Sequence, residues 1–383
     1  MTSKERVLAT ISHQEPDRVP IDFGATMETT IHAEGYKKLI KALDIQTAGS
    51  PVEMLKTAGF VRPDEDVQQH IGADVRGLFP NRRYSGEGRL SEDGEYKLLT
   101  DEFGILWRKP VDGGLYYDIH NSPMSNMQLD DIKNYNFPDP RNDKIFENVD
   151  TLLANVNINE YPVVYDNCFG NGIFQSCNQL MGYDTYLMAM ALSEPRADYL
   201  MDKILEMKLE FWDEVLTRFG DKVDIVKELD DMGTQINLLI SPDMYKQHIK
   251  PRLKKLVDFI KSKKPEVKMM MHSCGSVSKI IPDLIDCGIE ILNPVQYTAA
   301  EMDPVMLKRE FGADLTFWGG GVDTQTILPR GTADEVSEEV KRMLELFMPG
   351  GGFVFAPIHA IQADVPAENI LAMWETVREY GIY

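Results

Sequence analysis

The chain has 383 residues, of which 43% are apolar, a composition that suits one large barrel or two ordinary globular domains. Its 61 acidic residues outnumber its 40 basic residues and give a net charge of −21. This acidic excess argues against nucleic-acid binding, because affinity for phosphates requires clustered lysine and arginine.

The cysteines and the N-terminus predict a reduced, cytoplasmic protein. The four cysteines are Cys168, Cys177, Cys274 and Cys287, a density too low for a disulfide scaffold. Residues 1–6 lead into a mixed-charge helix instead of a signal peptide. No apolar run approaches the roughly 18 residues of a membrane span.

The predicted elements alternate between short strands and longer helices. An N-terminal helix, capped by Thr2 or Ser3, is expected to end before Pro16. Short apolar runs that predict strands follow at 19–24, 73–78, 161–166, 223–228, 267–272, 289–293, 314–319 and 352–357. Eight such runs separated by amphipathic stretches predict a (β/α)₈ barrel, a fold of the α/β class. A doubly wound sheet is the alternative.

Residues 80–125 break this alternation. Arg83 to Gly88, residues 96–99 and residues 106–108 have the character of strands joined by turns. We therefore predict one barrel domain over residues 1–383, with an N-terminal extension and a β-hairpin insertion at about 80–125 that sits over one end of the barrel.

Polar groups follow most of the predicted strands, at the end where parallel barrels place their working face. The sharpest signal is His272 and Cys274, which lie two residues apart on an extended segment and so project to the same side. Imidazole nitrogen and thiolate sulfur together suit zinc. His359, after the last strand, is the favoured third ligand. The alternative is a hydrogen-bonded core histidine beside a small apolar cysteine.

Three carboxylates lie at the end of the strand predicted at 223–228. Glu228, Asp230 and Asp231 can supply a further metal ligand or a base. The alternative for this group is a solvated loop, or a cap for the next helix. Because the group directly follows a buried strand, we expect at least one of the three carboxylates to point inward.

Several segments carry a resemblance to a known family. They are EPDRVP at 15–20, HSCG at 272–275, NPVQ at 293–296, FWGG at 317–320, FAPIH at 355–359 and VPAEN at 365–369. Through these segments the chain resembles the uroporphyrinogen decarboxylase superfamily over nearly its whole length. The resemblance implies a (β/α)₈ barrel.

The superfamily has a decarboxylase branch and a branch of zinc- and corrinoid-dependent methyltransferases. The decarboxylases bind substrate carboxylates through an arginine-rich N-terminal motif, whereas residues 21–30 of this chain contain no arginine. The methyltransferases bind zinc through His-x-Cys and a distant cysteine. His272 and Cys274 match the first two ligands, and His359 stands where thiol-methylating members have cysteine. A nitrogen-rich site leaves zinc more Lewis acidic and suits the ether oxygen of a methoxylated aromatic substrate.

The resemblance thus implies an enzyme that moves a methyl group between a small methylated substrate and the cobalt of a corrinoid. The corrinoid is expected on a separate protein, because the chain has no Asp-x-His-x-x-Gly motif. Glu228 or Asp230 is assigned to catalysis. The residues assigned to substrate binding are Asn167, Asn293, Gln296 and Asp323. A homodimer is expected. The alternatives are a decarboxylase of a small acid and a non-catalytic barrel that binds a partner.

Overall fold

A computed structural model describes residues 1–47, 51–167 and 169–383, so Cys168 lies outside the described residues. The strands, in chain order, are β1 (Ile31–His32), β2 (Val52–Leu55), β3 (Phe60–Arg62), β4 (Arg76–Leu78), β5 (Tyr84–Leu90), β6 (Tyr96–Asp101), β7 (Leu106–Pro110), β8 (Asp118–Asn121), β9 (Val163–Asp166), β10 (Ile225–Leu229), β11 (Lys268–His272), β12 (Ile291–Asn293), β13 (Thr316–Trp318) and β14 (Phe353–Val354).

The helices, in chain order, are α1 (Ser3–Ile11), α2 (Ala33–Ala42), α3 (Glu65–Ile71), α4 (Leu129–Lys133), α5 (Val149–Ala154), α6 (Ile173–Met181), α7 (Tyr183–Ala191), α8 (Pro195–Phe219), α9 (Pro242–Met244), α10 (Lys250–Lys263), α11 (Ile281–Cys287), α12 (Pro304–Phe311), α13 (Ile327–Arg330), α14 (Ala333–Phe347) and α15 (Ala367–Tyr380). A π-helical turn, Tyr245–Ile249, joins α9 to α10. No helix among the described residues is both long and apolar enough to cross a membrane.

The main sheet is parallel, with the strand order β14-β13-β12-β11-β10-β9-β4. Residues 19–24 supply the eighth position. Ile21 forms a parallel bridge with Phe355, beside β14, and its carbonyl accepts the backbone N–H of Asp74, just before β4, at 2.7 Å. This segment therefore joins the two edges of the sheet and closes it. The predicted (β/α)₈ barrel is confirmed, with all eight predicted strand positions in place.

An ion network fixes the point of closure. Asp74 is fully buried and accepts hydrogen bonds from Arg18 (2.7 and 2.9 Å), Arg6 (2.8 Å) and the backbone N–H of Ile21 (2.8 Å). Arg6 lies on α1, for which the sequence predicted Thr2 or Ser3 as the cap; Thr2 is the N-cap and forms a capping box with Glu5. The EPDRVP segment thus contributes Arg18 to the stability of the barrel.

Two smaller antiparallel sheets stand outside the barrel. Strands β5 to β8 pair in sequence order, which confirms the predicted β insertion and extends it to four strands. Strands β1, β3 and β2 form a second sheet that was not predicted. The loop between β7 and β8 contacts the C-terminal part of the chain, because the Tyr116 hydroxyl donates a hydrogen bond to the side-chain oxygen of Gln362.

The register of the barrel strands separates inward from outward side chains. The residues that pack together inside the barrel include Val164, Ile225, Met270, Ile291, Trp318 and Val354. Partners across parallel strands face the same side, and side chains alternate along each strand. Asp166, Lys227 and Met270 are partners and share one inward layer, while Leu229, His272 and Asn293 share the next layer toward the carboxyl ends.

Candidate metal centre

The three residues favoured as metal ligands converge at the carboxyl ends of the strands. The ligand atoms of His272, Cys274 and His359 all lie within 4.8 Å of one another. Cys274 Sγ is 3.4 Å from His272 Nε2, and the two imidazole rings meet edge to face with centroids 5.8 Å apart. We call this group the His–Cys–His cluster. Two imidazoles and a thiol are a donor set that fits zinc and leaves a fourth position for substrate.

The local sequence explains how His272 and Cys274 come to face one another. His272 is the last residue of β11 and points inward, and the chain then turns sharply through Gly275, whose φ is +86°. A Cβ at Gly275 would lie 2.6 Å from the backbone of Gly233, so only glycine fits this turn. The backbone N–H of Cys274 donates to Asp231 Oδ1 at 2.9 Å, which fixes the turn after the strand.

The orientation of the His272 ring is set by its neighbour on β12. His272 Nδ1 donates to Asn293 Oδ1 at 2.5 Å, and the Asn293 amide nitrogen donates to the Trp318 carbonyl at 2.8 Å. This arrangement leaves His272 Nε2 free to bind a metal on the side of Cys274. Asn293, which the sequence analysis assigned to substrate binding, uses both groups of its amide in these contacts and fixes the His272 ring, as residues behind metal-binding histidines commonly do.

The surroundings of His359 favour the neutral imidazole, which is the form that binds metals. Burial and repulsion from His272 lower the pKa of His359 to about 4, so that its imidazole is neutral at pH 7. Burial, reinforced by the negative charge of Asp231, raises the pKa of the Cys274 thiol well above its usual value. A bound cation reverses that effect on a coordinating thiol. Without such a cation the thiol stays protonated.

A cavity of about 300 Å³ opens beside the cluster. Its lining consists of Gln235, Cys274, Gln296, Thr324, Gln325, Ile358, His359 and Gln362. These side chains offer amide groups and a hydroxyl, with no lysine, arginine or carboxylate among them. The volume is at the lower end of the range for small-molecule sites. The cavity therefore suits a small, uncharged substrate.

Two further residues assigned to substrate binding lie near this cavity. Gln296 lines it, accepts the backbone N–H of Gly275 at 2.7 Å and donates to Gln235 at 3.0 Å, so much of its hydrogen-bonding capacity is already used. Asp323 is buried and accepts the backbone N–H of Gln325 at 2.8 Å. Its carboxylate shapes the loop that carries Thr324 and Gln325.

The structure corrects the placement of Glu228. Residues of a strand alternate between faces, and Glu228 points out of the barrel against α8. There its carboxylate accepts hydrogen bonds from Lys208 (2.7 Å) and Trp212 (2.5 Å), and from Asn167 (2.9 Å). Glu228 and Asn167 therefore hold α8 and the loop after β9 in place, away from the cluster, and the expected roles in catalysis and substrate binding do not fit their positions.

Asp230 is also placed differently from the prediction. Its carboxylate accepts the backbone N–H groups of Phe174 (3.0 Å) and Gln175 (2.8 Å), and so caps the start of α6. Burial raises its pKa to about 7. The third carboxylate of the group, Asp231, is the one that reaches the cluster, with Oδ1 3.6 Å from His272 Nε2.

Sequence reasoning missed a charged group inside the barrel. Lys227 points inward and forms ion pairs with Asp166 (2.8 Å) and Glu28. All three side chains are buried. The signal was present as a lysine within the apolar run at 223–228, where only an ion pair makes burial of the ammonium tolerable.

Comparison with known proteins places this site in a family. The family model described as uroporphyrinogen decarboxylase (URO-D) matches residues 114–380, most of the chain. The chain belongs to the uroporphyrinogen decarboxylase family. The model spans the strands that carry His272, Cys274 and His359, so the cluster is part of the family's barrel and not an added segment.

The curated relatives of the chain include a methyltransferase and a decarboxylase. Over 142 residues the chain is 32% identical to the methylcobamide:CoM methyltransferase MtaA of Methanosarcina barkeri, which covers 37% of this chain and 38% of that protein. Over 197 residues it is 25% identical to the uroporphyrinogen decarboxylase of Chlorobium phaeobacteroides, covering 50% and 52%. The chain therefore spans about two fifths to one half of the length of these curated relatives.

A solved structure extends the likeness of fold to the whole chain. The methyltransferase from Methanosarcina mazei aligns with 99% of this chain and 99% of its own, at a TM-score of 0.66 and 19% identity. At this identity the match establishes the shared fold. It includes the N-terminal region that precedes the family model, and so covers Glu28 and the segment that closes the barrel.

Proposed function

We propose that this protein is a zinc-dependent methyltransferase that moves a methyl group between a small methylated substrate and the cobalt of a corrinoid carried by a separate protein. The observation that carries the proposal is the His–Cys–His cluster beside an uncharged cavity at the carboxyl ends of the strands. The similarity to a methyltransferase named for methylcobamide and CoM supports the reaction class.

The residues present fit zinc and define its role. His272, Cys274 and His359 would hold the ion, which when bound acts as a Lewis acid toward the heteroatom that carries the methyl group. Asn293 keeps the His272 ring in the orientation that exposes Nε2. The amide side chains around the cavity, among them Gln296, orient the substrate next to the ligands. A methoxylated aromatic compound matches a neutral cavity with two imidazole donors.

The cavity also argues that the corrinoid stays outside. About 300 Å³ accommodates a small substrate but not a corrin macrocycle, so the cobalt must be presented at the mouth by its carrier protein. A corrinoid protein is therefore the expected partner. The homodimer and the cytoplasmic location predicted from the sequence remain predictions, and light scattering of the purified protein tests the first of them.

A decarboxylase fits the site less well. Its substrates carry carboxylates, which require guanidinium or ammonium groups for binding. The cavity lining has none, and residues 21–30 place the buried acids Asp22 and Glu28 where an arginine-rich motif would be needed. Negative charge in this position repels a carboxylated substrate.

Metal analysis tests the proposal. We expect wild-type protein purified without chelator to contain about one zinc ion per chain, and His272→Ala, Cys274→Ala and His359→Ala to lose it. Cys287→Ala is the matched control, since Cys287 lies at the end of α11, away from the cluster, and should keep the metal. Wild-type protein without zinc would refute the proposal. Zinc-loaded protein is then screened with methyl donors and cob(I)alamin, and a methylated cobalt spectrum identifies the donor.

A further inference from the structure

The charged group below the cluster has no role in the function described so far. Lys227 on β10 pairs in register with Asp166 on β9, and the next inward residue of β10, Leu229, pairs with His272. Two residues of a strand advance by about 6.6 Å. Lys227 and its partners therefore form the layer of side chains directly beneath the imidazole of His272.

The contacts within this layer are close and fully enclosed. Lys227 Nζ lies 2.8 Å from Asp166 Oδ1 and also binds Glu28 Oε2. The second oxygen of Asp166 accepts the backbone N–H of Met27 at 2.8 Å. The side chains of Lys227 and Asp166 have no solvent exposure, and that of Glu28 is 5% exposed. The layer is thus shielded from bulk solvent.

The charges of the layer do not balance. Two carboxylates face one ammonium group, so the layer carries one net negative charge when both are ionised. Unpaired charge is costly in such a place, and burial accordingly raises the pKa of Asp166. A zinc ion bound by one thiolate and two neutral imidazoles carries one net positive charge. The positive charge of bound zinc would therefore offset the negative charge of this layer from above, while Asp231, with Oδ1 3.6 Å from His272 Nε2, faces the same site from the side of the loop after β10.

Glu28 is the carboxylate that faces this cation site. Burial disfavours its ionised form, but Lys227 outweighs that cost, and His272 and His359 act on it in the same direction as Lys227. The pKa of Glu28 is accordingly lowered. The backbone also brings Glu28 close to His359, because Glu28 is two residues before Thr30, whose carbonyl accepts the backbone N–H of Ile361 at 2.8 Å, and Ile361 is two residues after His359. Glu28 thus lies on the side of the layer that is nearer His359.

We propose that Glu28 is the buried counter-charge of the metal centre, and that Lys227 is a positioning residue that holds Glu28 beneath the ligands. In this role Glu28 raises the affinity for a divalent cation without touching the substrate. The inference rests on the proposed zinc site and adds a determinant of its affinity that lies outside the His-x-Cys motif.

The test compares two substitutions that remove the same charge from different positions. Glu28→Gln and Asp166→Asn are each nearly isosteric, and zinc affinity is measured by competition with a chromophoric chelator. We expect Glu28→Gln to bind zinc about 10- to 100-fold more weakly than wild type, the usual effect of losing a group that supports a metal ligand. Asp166→Asn should lose clearly less. Thermal unfolding of both variants without metal is the second measurement, because each variant removes one buried partner of Lys227 and should lower the stability of the metal-free protein.

Each result has a defined meaning. Equal losses of affinity in the two variants would assign the effect to the whole charged layer and overturn the role given to Glu28. Unchanged affinity in Glu28→Gln, with zinc bound to wild type, would overturn this inference alone. A Glu28→Gln protein that does not fold would show that Glu28 serves the fold, and would overturn it as well. Absence of zinc from wild type would instead refute the proposed function.

Discussion

His272 Nδ1 and Asn293 Oδ1 lie 2.5 Å apart, on adjacent strands of the barrel. This hydrogen bond decides which imidazole nitrogen faces Cys274, because a neutral ring that donates from Nδ1 has its lone pair on Nε2. Asn293 has no alternative orientation, since its amide nitrogen is bound to the Trp318 carbonyl. The β-sheet itself therefore fixes the orientation of the His272 ring.

Asn293→Ala is expected to weaken zinc binding about 10- to 100-fold while leaving all three ligands in place. The His272 ring loses the acceptor that fixes its orientation. Chelator competition measures the change in affinity. Asn293→Asp is the matched control, because its carboxylate still accepts from Nδ1 and should retain more affinity than the alanine variant. Equal affinity in Asn293→Ala and wild type would show that the ring is held by packing alone.

His359→Cys tests the meaning of the third ligand. A thiolate in place of a neutral imidazole supplies negative charge, so zinc should stay bound but become a weaker Lewis acid. Methyl transfer from ether donors should fall at least about tenfold, which corresponds to about 1.4 kcal/mol in the activation barrier. The rates are measured with zinc-loaded protein and cob(I)alamin. His359→Ala is the control that loses the metal. If His359→Cys transferred methyl groups from ethers as fast as wild type, the identity of the third ligand would not determine the substrate.

The sequence predicted the barrel, and the meeting of His272, Cys274 and His359 at its working face, because both depend on short-range patterns. Each buried strand is a short apolar run, and the polar residue that ends it lies at the working face. His272 and Cys274 follow from this rule, since one ends β11 and the other follows two residues later. The closure of the barrel through residues 19–24 was also evident as an apolar run.

The direction of side chains in β10 was not predictable in the same way. A strand of a parallel sheet is buried on both faces, so the alternation that separates inside from outside is lost. Glu228 and Lys227 are both buried, and only the positions of Trp212 and Lys208 on α8 and of Asp166 on β9 show which of the two faces outward. The antiparallel sheet of β1 to β3 left no clear pattern for a different reason, because its strands are only two to four residues long.

The cap formed by Asp230 depended on a partner far away in the sequence. The backbone N–H groups that it accepts belong to Phe174 and Gln175, at the start of α6. The preference of aspartate for the N-cap position can be recognised in a sequence only when the capped helix follows directly. Gly172, the residue before α6, lets the Asp230 carboxylate come close to the start of the helix. A Cβ at position 172 would lie 2.0 Å from Asp230 Cγ.

Asp74→Asn is expected to destabilise the barrel at its closure by about 3–5 kcal/mol, the usual cost of removing one partner from a buried ion network. The change would leave Arg6 and Arg18 without their shared counter-charge. Chemical denaturation measures the free energy of unfolding. Asp130→Asn is the matched control, because Asp130 is exposed in its pair with Lys133 and should cause little change. A loss as small as the control's would mean that backbone pairing alone closes the barrel.

Asp22 should make stability depend on pH. Burial raises its pKa from 3.8 to about 6, although hydrogen bonds from Trp318 and the Ala25 backbone oppose the shift. The folded protein therefore holds this proton more tightly than the unfolded chain, and stability falls as pH rises from about 4 to 6. A pKa difference of about two units corresponds to about 3 kcal/mol of folding stability, and this contribution is lost once the pH is well above 6.

The variant Asp22→Asn has no proton to lose at this position. Its free energy of unfolding, relative to wild type at the same pH, should rise by about 3 kcal/mol between pH 4 and pH 7. Urea denaturation at several pH values between these limits provides the measurement. The profile of Asp130→Asn should run parallel to wild type. A difference between Asp22→Asn and wild type that does not vary with pH would show that Asp22 is ionised throughout.

Tyr116→Phe tests whether the inserted sheet helps to close the cavity. The Tyr116 hydroxyl bonds to Gln362, one of the lining residues, so its loss should loosen the mouth without affecting the ligands. We expect KM for the methyl donor to rise about 2- to 10-fold, the worth of one hydrogen bond, with little change in kcat or zinc content. Tyr117→Phe is the control, since Tyr117 is tied to Thr57 through its backbone N–H and its ring lies beside Lys109. Equal KM values in both variants would mean that the contact between Tyr116 and Gln362 does not shape the cavity.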